Sequence, residues 1–115
     1  MRKLDTHKIG IDQGDAIVFS DFENNGPMWS GTGARKAVRA VTFSETYAAP
    51  PSVTLSMSMV DMSNDAYMRC DLRAENVTKT GFDITFRTWA DTRIARMRVA
   101  WTAFGPLPTD DTWDI

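Results

Sequence analysis

The sequence predicts an all-β protein, built as a sandwich or a barrel. Three observations carry this. Six segments alternate apolar and polar residues with a period of two, the signature of half-buried strands. No segment keeps a convincing helical periodicity. The alternating runs are short and separated by clusters of Gly, Pro, Asn, Asp and Ser, the punctuation of an all-β chain.

In chain order, the first 14 residues are polar, with Gly10, Gly14 and a lone His7, and read as an arm or a short leading strand. Residues 15–20, DAIVFS, read as the first strand. Residues 21–34, DFENNGPMWSGTGA, are a long loop carrying Trp29 and then Ser30, Gly31, Thr32 and Gly33. Loops of that length are uncommon in compact domains and tend to be functional. Residues 35–44 hold the second strand, with Val41 and Phe43 inward. Pro50 and Pro51 end that segment, because proline donates no ladder hydrogen bond.

Residues 52–60, SVTLSMSMV, are the cleanest alternation, with Val53, Leu55, Met57 and Met59 on one face. Residues 61–65 are a turn. The strand over 68–77 places Met68, Cys70, Leu72 and Ala74 inside and Arg69, Asp71, Arg73 and Glu75 outside. Two final runs fill residues 80–104. Phe82, Ile84 and Phe86 share a face in one, and Met97, Val99, Trp101 and Ala103 in the other. The link through Ala90, Asp91 and Thr92 is short enough for a hairpin-type loop. Trp89 lies in phase with Arg87 on the polar face, so it is either a second packing surface or a stacking platform. The expected organisation is an arm over 1–14, one domain over 15–105, and an acidic, proline-punctuated tail over 106–115. In that tail Trp113 and Ile115 are candidates for docking on another subunit or protein.

Composition narrows the function classes. The 115 residues suit one domain. A formal charge of −2 argues against nucleic acid as the main partner. Cys70 is the single cysteine, which excludes an intrachain disulfide, and reads as a buried, inert thiol. Met1, Arg2 and Lys3 are followed by no apolar run, so no signal peptide is expected, and no segment is long and apolar enough to cross a membrane. The compartment stays open: cytoplasmic synthesis, with release by a route that needs no N-terminal signal, or incorporation in a phage-like particle.

The chemistry-bearing residues form no catalytic set. One His and one Cys, far apart, provide no metal-ligand spacing, and no metal or cofactor is expected. Asp61, Asn64 and Asp65 lack the spacing of a calcium loop and read as a solvated turn. No nucleophile motif accompanies His7. Asn76, Val77 and Thr78 match the glycosylation pattern, but without a secretion signal the match reads as chance. A binding surface remains. Arg69, Arg87 and Trp89 lie on outward phases near strand ends. An aromatic face packs on the C–H patch of a pyranose while arginine bonds its hydroxyls. The alternative is that Trp89 packs on a neighbouring subunit or the tail, and that Arg69 and Arg73 pair with Asp71 and Glu75 across the sheet.

A dense, ordered set of residues favours the binding surface. It comprises Phe43, then Pro50, Pro51 and Val53, then Met59 and Asp61, then Arg69. It continues through Asn76, Val77, Thr78, Gly81 and Phe82 to Thr88, Trp89 and Thr92, and closes with Val99, Trp101 and Ala103. Over roughly residues 37–105 this pattern resembles the H-type lectin domain of snail agglutinins and the discoidin C-terminus. The resemblance implies a six-stranded antiparallel β-sandwich that packs as a homotrimer. It implies sugar sites at or near subunit interfaces, which bind galactose or N-acetylgalactosamine without catalysis. Such sites serve glycan recognition and cell adhesion. The family's sugar-bonding arginine falls on Arg69 and its site tryptophan on Trp89. Where the snail agglutinins carry a histidine, this chain has Ala90. Where they carry an acidic loop residue, ungapped counting gives Thr32, with Ser30 and Gly31 just before it. A shifted loop brings in Asp21, Glu23 or Asn25 instead. Asp91 is placed to orient Arg69 or Arg93.

The expected function is therefore a non-catalytic, trimeric carbohydrate-binding module that takes galactose-type glycans or a bacterial polysaccharide. The alternative is a structural trimerisation module of a fibre, spike or phage-like particle, with weak or lost sugar binding.

Overall fold

The computed structural model describes residues 1–5 and 8–109. His7, Trp113 and Ile115 lie outside the described residues. The chain runs β1 (Ile9–Ser20), α1 (Pro27–Ser30), β2 (Arg35–Thr42), β3 (Ser52–Met62), β4 (Asp71–Glu75), β5 (Gly81–Thr88) and β6 (Ile94–Pro106). All strand pairs are antiparallel, in two three-stranded sheets ordered β1-β6-β3 and β2-β5-β4. The two inner faces share one core. Phe82, Ile84 and Phe86 of β5 meet Met97, Val99, Trp101 and Ala103 of β6 there. Side chains of this size contribute about 1.5–3 kcal/mol each on full burial. At one end Phe43, Tyr47, Phe82 and Trp101 form an aromatic cluster with ring centroids 5.1–6.1 Å apart.

The expected hairpin between the last two runs does not form. β5 pairs with β2 and β4, and β6 with β1 and β3. Their short connection is instead a corner that carries the chain from one sheet to the other. Both runs bury one face in the same core, so they sit opposite one another as the central strands of two layers.

The first strand begins at Ile9, six residues before Asp15, so of the two readings of this segment residues 9–14 take the leading strand, continuous with the run over 15–20. They face residues 101–106 of β6 in register. The inward phase here is occupied by glycine, which hid the alternation. A Cβ on Gly14 would stand 2.9 Å from the Trp101 indole nitrogen, and one on Gly10 would stand 2.9 Å from the Leu107 side chain.

The third strand also departs from simple alternation. A bulge between Met57 and Met59 shifts the pairing, so Val53 and Leu55 before it and Val60 and Met62 after it pack on the core. Met57, expected inside, is exposed. The fourth strand is shorter than expected. Met68 is exposed, and the backbone of Arg69 bonds threonine side chains in place of a ladder: its N–H donates to Thr92 Oγ1 at 3.1 Å, and its carbonyl accepts from Thr88 Oγ1 at 2.5 Å. The long loop contains a single helical turn, α1, with Pro27 in its first turn and Met28 buried. Asp21 Oδ2 accepts from the Met28 N–H at 2.9 Å and ties that turn to the end of β1.

Candidate functional site

Three loops meet at the rim where β5 hands over to β6. They are the loop after β1, the segment before β4 and the corner over residues 89–93. Arg35, the first residue of β2, holds two of them together. Its Nε donates to the Gly33 carbonyl at 2.9 Å, Nη1 to the Thr92 carbonyl at 2.8 Å, and Nη2 to the Ala90 carbonyl at 3.1 Å. Weaker contacts reach the carbonyls of Pro27 and Met28. Partial burial draws the Arg35 guanidinium below its usual pKa by desolvation. The Gly33 N–H also donates to the Ala90 carbonyl, at 2.8 Å. The two loops meet at positive φ, 76° at Gly33 and 59° at Ala90. Alanine rarely adopts that conformation, so the corner is held by its partners rather than by local preference.

The segment before β4 is held by Thr92. This side chain is fully buried, donates to the Tyr67 carbonyl at 2.6 Å and accepts from the Arg69 N–H. Arg69 is thereby fixed beside the corner, where its guanidinium makes an ion pair with Asp91. The guanidinium also lies over the Tyr67 ring, 5.6 Å from its centroid. Of the two arginines weighed for Asp91, it takes Arg69. Arg93 instead stacks on Trp29 at 4.3 Å and donates to the Trp29 carbonyl at 3.0 Å. Phe22 closes this group edge-on to Trp29, with centroids 5.2 Å apart.

The other residues singled out from sequence fall around the same rim. Trp89 is 47% exposed and lines an open cleft of about 330 Å³ with Ala34, Arg35, Lys36, Arg87 and Thr88. Thr88, its neighbour, is the residue whose hydroxyl reaches the Arg69 carbonyl. Ala90 is exposed. Ser30 Oγ lies 2.7 Å from the Asn25 carbonyl and 2.9 Å from that of Gly26, so its proton serves its own loop. The Gly31 N–H donates to the Pro27 carbonyl at 2.8 Å, and Thr32 is exposed. Of the alternative in which Arg69 and Arg73 pair with Asp71 and Glu75, only Arg73–Asp71 is present, within β4 itself; Arg69 takes Asp91, and Glu75 takes Arg87. Among the described residues no three His, Cys, Asp or Glu side chains cluster for a metal, and no helix is long and apolar enough to cross a membrane.

Sequence reasoning missed Arg35, Lys36 and Tyr67, and it met Thr92 only as a member of the family pattern, with no role attached. One signal was available for Arg35. It lies in phase with Val41 and Phe43, so a charge stood on the inward side of a strand end.

An antiparallel two-sheet sandwich whose rim loops present an exposed indole, a tyrosine and a guanidinium–carboxylate pair is a scaffold for surface recognition. Comparison makes this specific. The model of the H-type lectin domain matches residues 38–104, more than half of the chain, and the protein belongs to that family. Discoidin-2 of Dictyostelium discoideum is 39% identical over 66 residues, covering 56% of this chain and 26% of discoidin-2. The solved structure of recombinant discoidin II from the same organism superposes with a TM-score of 0.74 at 27% identity, over 87% of this chain and 38% of that one. The chain thus spans well under half of the discoidins. A protein of Fuscovulum blasticum, the ATP synthase subunits region ORF 7, is 47% identical over 93% of both chains. That name states no activity.

Proposed function

We propose that the protein is a carbohydrate-binding lectin module that recognises galactose-type, N-acetylgalactosamine-type or related glycans without catalysis and gains strength by trimerising. One observation carries the reading: Trp89 stands exposed at the rim, two residues from the carboxylate that holds Arg69. A guanidinium has five N–H donors. Asp91 orients the group through Nη1, and the remaining donors serve vicinal hydroxyls. The Trp89 ring takes the apolar face of the pyranose. Ser30, Gly31 and Thr32 bound the site on the loop side, and Ala90 and Asp91 on the corner side. Ala90 gives no side-chain hydrogen bond, and Thr32 gives a neutral one, weaker than a charge-assisted contact. Each site is then weak, with a Kd on the order of micromolar to millimolar. Three linked sites recover strength on a multivalent surface.

Trimerisation has separate support. The outer face of the β1-β6-β3 sheet exposes Ile9, Ile11, Ile17 and Phe104, an apolar set of the kind that marks association. The same face favours the second reading, a structural trimerisation module. A glycan array combined with light scattering separates the two. The expected result is a particle three times the 12.9 kDa chain mass that binds galactose-type glycans and loses them on Arg69→Ala or Trp89→Ala. A folded trimer silent on every glycan leaves only the structural reading.

A further inference from the structure

The cleft beside Trp89 carries a charge pattern that a neutral sugar does not use. Its six lining residues include Arg35, Lys36 and Arg87 and no acid. Lys36 and Arg87 face one another in register across β2 and β5, so both ammonium and guanidinium rise from the same side of the sheet, in phase with Trp89. Arg87 is paired with Glu75 at 3.2 Å and faces Asp71 in register, whose carboxylate is taken by Arg73. Arg35 donates only to carbonyls, so its charge is solvated by dipoles and not cancelled. Lys36 is exposed and, among the described residues, pairs with no carboxylate. All of this stands in a chain with a net charge of −2. Lys36 and the dipole-solvated Arg35 thus leave uncancelled positive charge beside one exposed aromatic ring of a small acidic protein.

From this we infer that the Trp89 cleft selects acidic saccharides, in which a ring carrying a uronate carboxylate or a sulfate ester stacks on Trp89 and its anion meets Lys36. The inference rests on the carbohydrate-binding reading above and adds the charge class of the ligand. The cleft volume, about 330 Å³, lies at the low end of small-molecule sites, roughly 300–1,000 Å³. It suits one or two sugar rings. Lys36 supplies a mobile point charge that adapts to either anion. Arg87, its charge balanced by Glu75, offers N–H donors rather than net charge.

The test is calorimetric titration of the full chain with galactose, galacturonate and a sulfated galactose, each at about 0.01 M and about 1 M salt, between which the screening length falls from about 30 to about 3 Å. The expected result is acidic-sugar binding about tenfold tighter than galactose at low salt, with most of that advantage gone at high salt. Lys36→Ala should bring the acidic sugars down to the level that the same variant shows for galactose. Lys36→Gln keeps the stem and serves where alanine perturbs the strand. Lys79→Ala, in the turn at the opposite end of β5, should change nothing. The ratio between galacturonate and the sulfated sugar identifies the preferred anion. Equal affinity for neutral and acidic sugars, insensitive to salt and to Lys36→Ala, overturns the charge inference while the lectin reading stands. Acidic-sugar binding that survives Trp89→Ala places the anion elsewhere and also overturns it. A folded protein that binds none of the three sugars removes both.

Discussion

Arg35 and Ala90 lie 55 positions apart, yet the Arg35 guanidinium donates to the Ala90 carbonyl at 3.1 Å. That bond, with those to Gly33 and Thr92, joins the loop after β1 to the corner carrying Trp89. Hydrogen bonds from a charged donor contribute about 1.5–3 kcal/mol each, and shared bonds on one group add less than their sum. Arg35→Ala should therefore lower unfolding stability by about 2–4 kcal/mol in urea denaturation. Arg35→Lys should recover less than half, because an ammonium cannot reproduce the planar fork.

Thr92 is the corresponding tie for the segment before β4. Thr92→Val keeps the shape and removes the hydroxyl, leaving the Arg69 N–H and the Tyr67 carbonyl without their partner. An unsatisfied buried polar group costs about 1–3 kcal/mol. The variant should lose stability in that range, and its Arg69 should lose its fixed position. Glycan affinity should fall with it, measured at a temperature where the variant is still folded.

Trp89 and Phe86 are in one strand run and should respond oppositely. Phe86 is fully buried and packs on Phe19 at 5.6 Å between centroids. Phe86→Ala should cost about 3–5 kcal/mol. Trp89→Ala should move stability by no more than about 0.5 kcal/mol while removing sugar binding. A large stability loss from Trp89→Ala would instead mean that the ring packs on something, in the monomer or between subunits.

Glu75 sets an acid limit. A hydrogen bond with Thr85 does most to hold its carboxyl below the usual range; desolvation opposes it, and Arg87 and Arg73 add to the lowering. A lowered folded-state pKa contributes stability above the unfolded-state value, and this is lost as pH falls through the folded-state value. Stability should decline as pH drops below about 4.3, the ordinary glutamate pKa. Glu75→Gln should flatten that part of the profile in thermal melts across the acid range. An unchanged profile would show that Glu75 titrates alike in both states.

The residues differ in how far they could be read in advance. Phe82, Ile84 and Phe86 announce a strand and its buried face by spacing alone. Arg69 and Trp89 are legible because they match a family pattern, and Asp91 because it lies two residues beyond Trp89. The Met57 bulge was hidden, because an inserted residue changes phase without changing composition. Gly10 and Gly14 hid a ladder, because the side chains filling the inward positions come from Leu107, just past β6, and from Trp101 of β6. Lys36 was passed over because a lone lysine on a strand is ordinary until Arg87 and Trp89 are seen beside it.

The amino-acid sequence by itself determined the six strands, the inward phases of most of them and the residue types available at the rim. These follow from local alternation and turn chemistry, which each segment carries within itself. Tertiary structure decided that β5 and β6 belong to different sheets, that Arg35 and Thr92 assemble the rim, and that Asp91 holds Arg69. The physical reason lies in the acceptors. The carbonyls of Gly33, Tyr67, Ala90 and Thr92 look like every other carbonyl in the chain, and only folding chooses which of them a distant donor will meet.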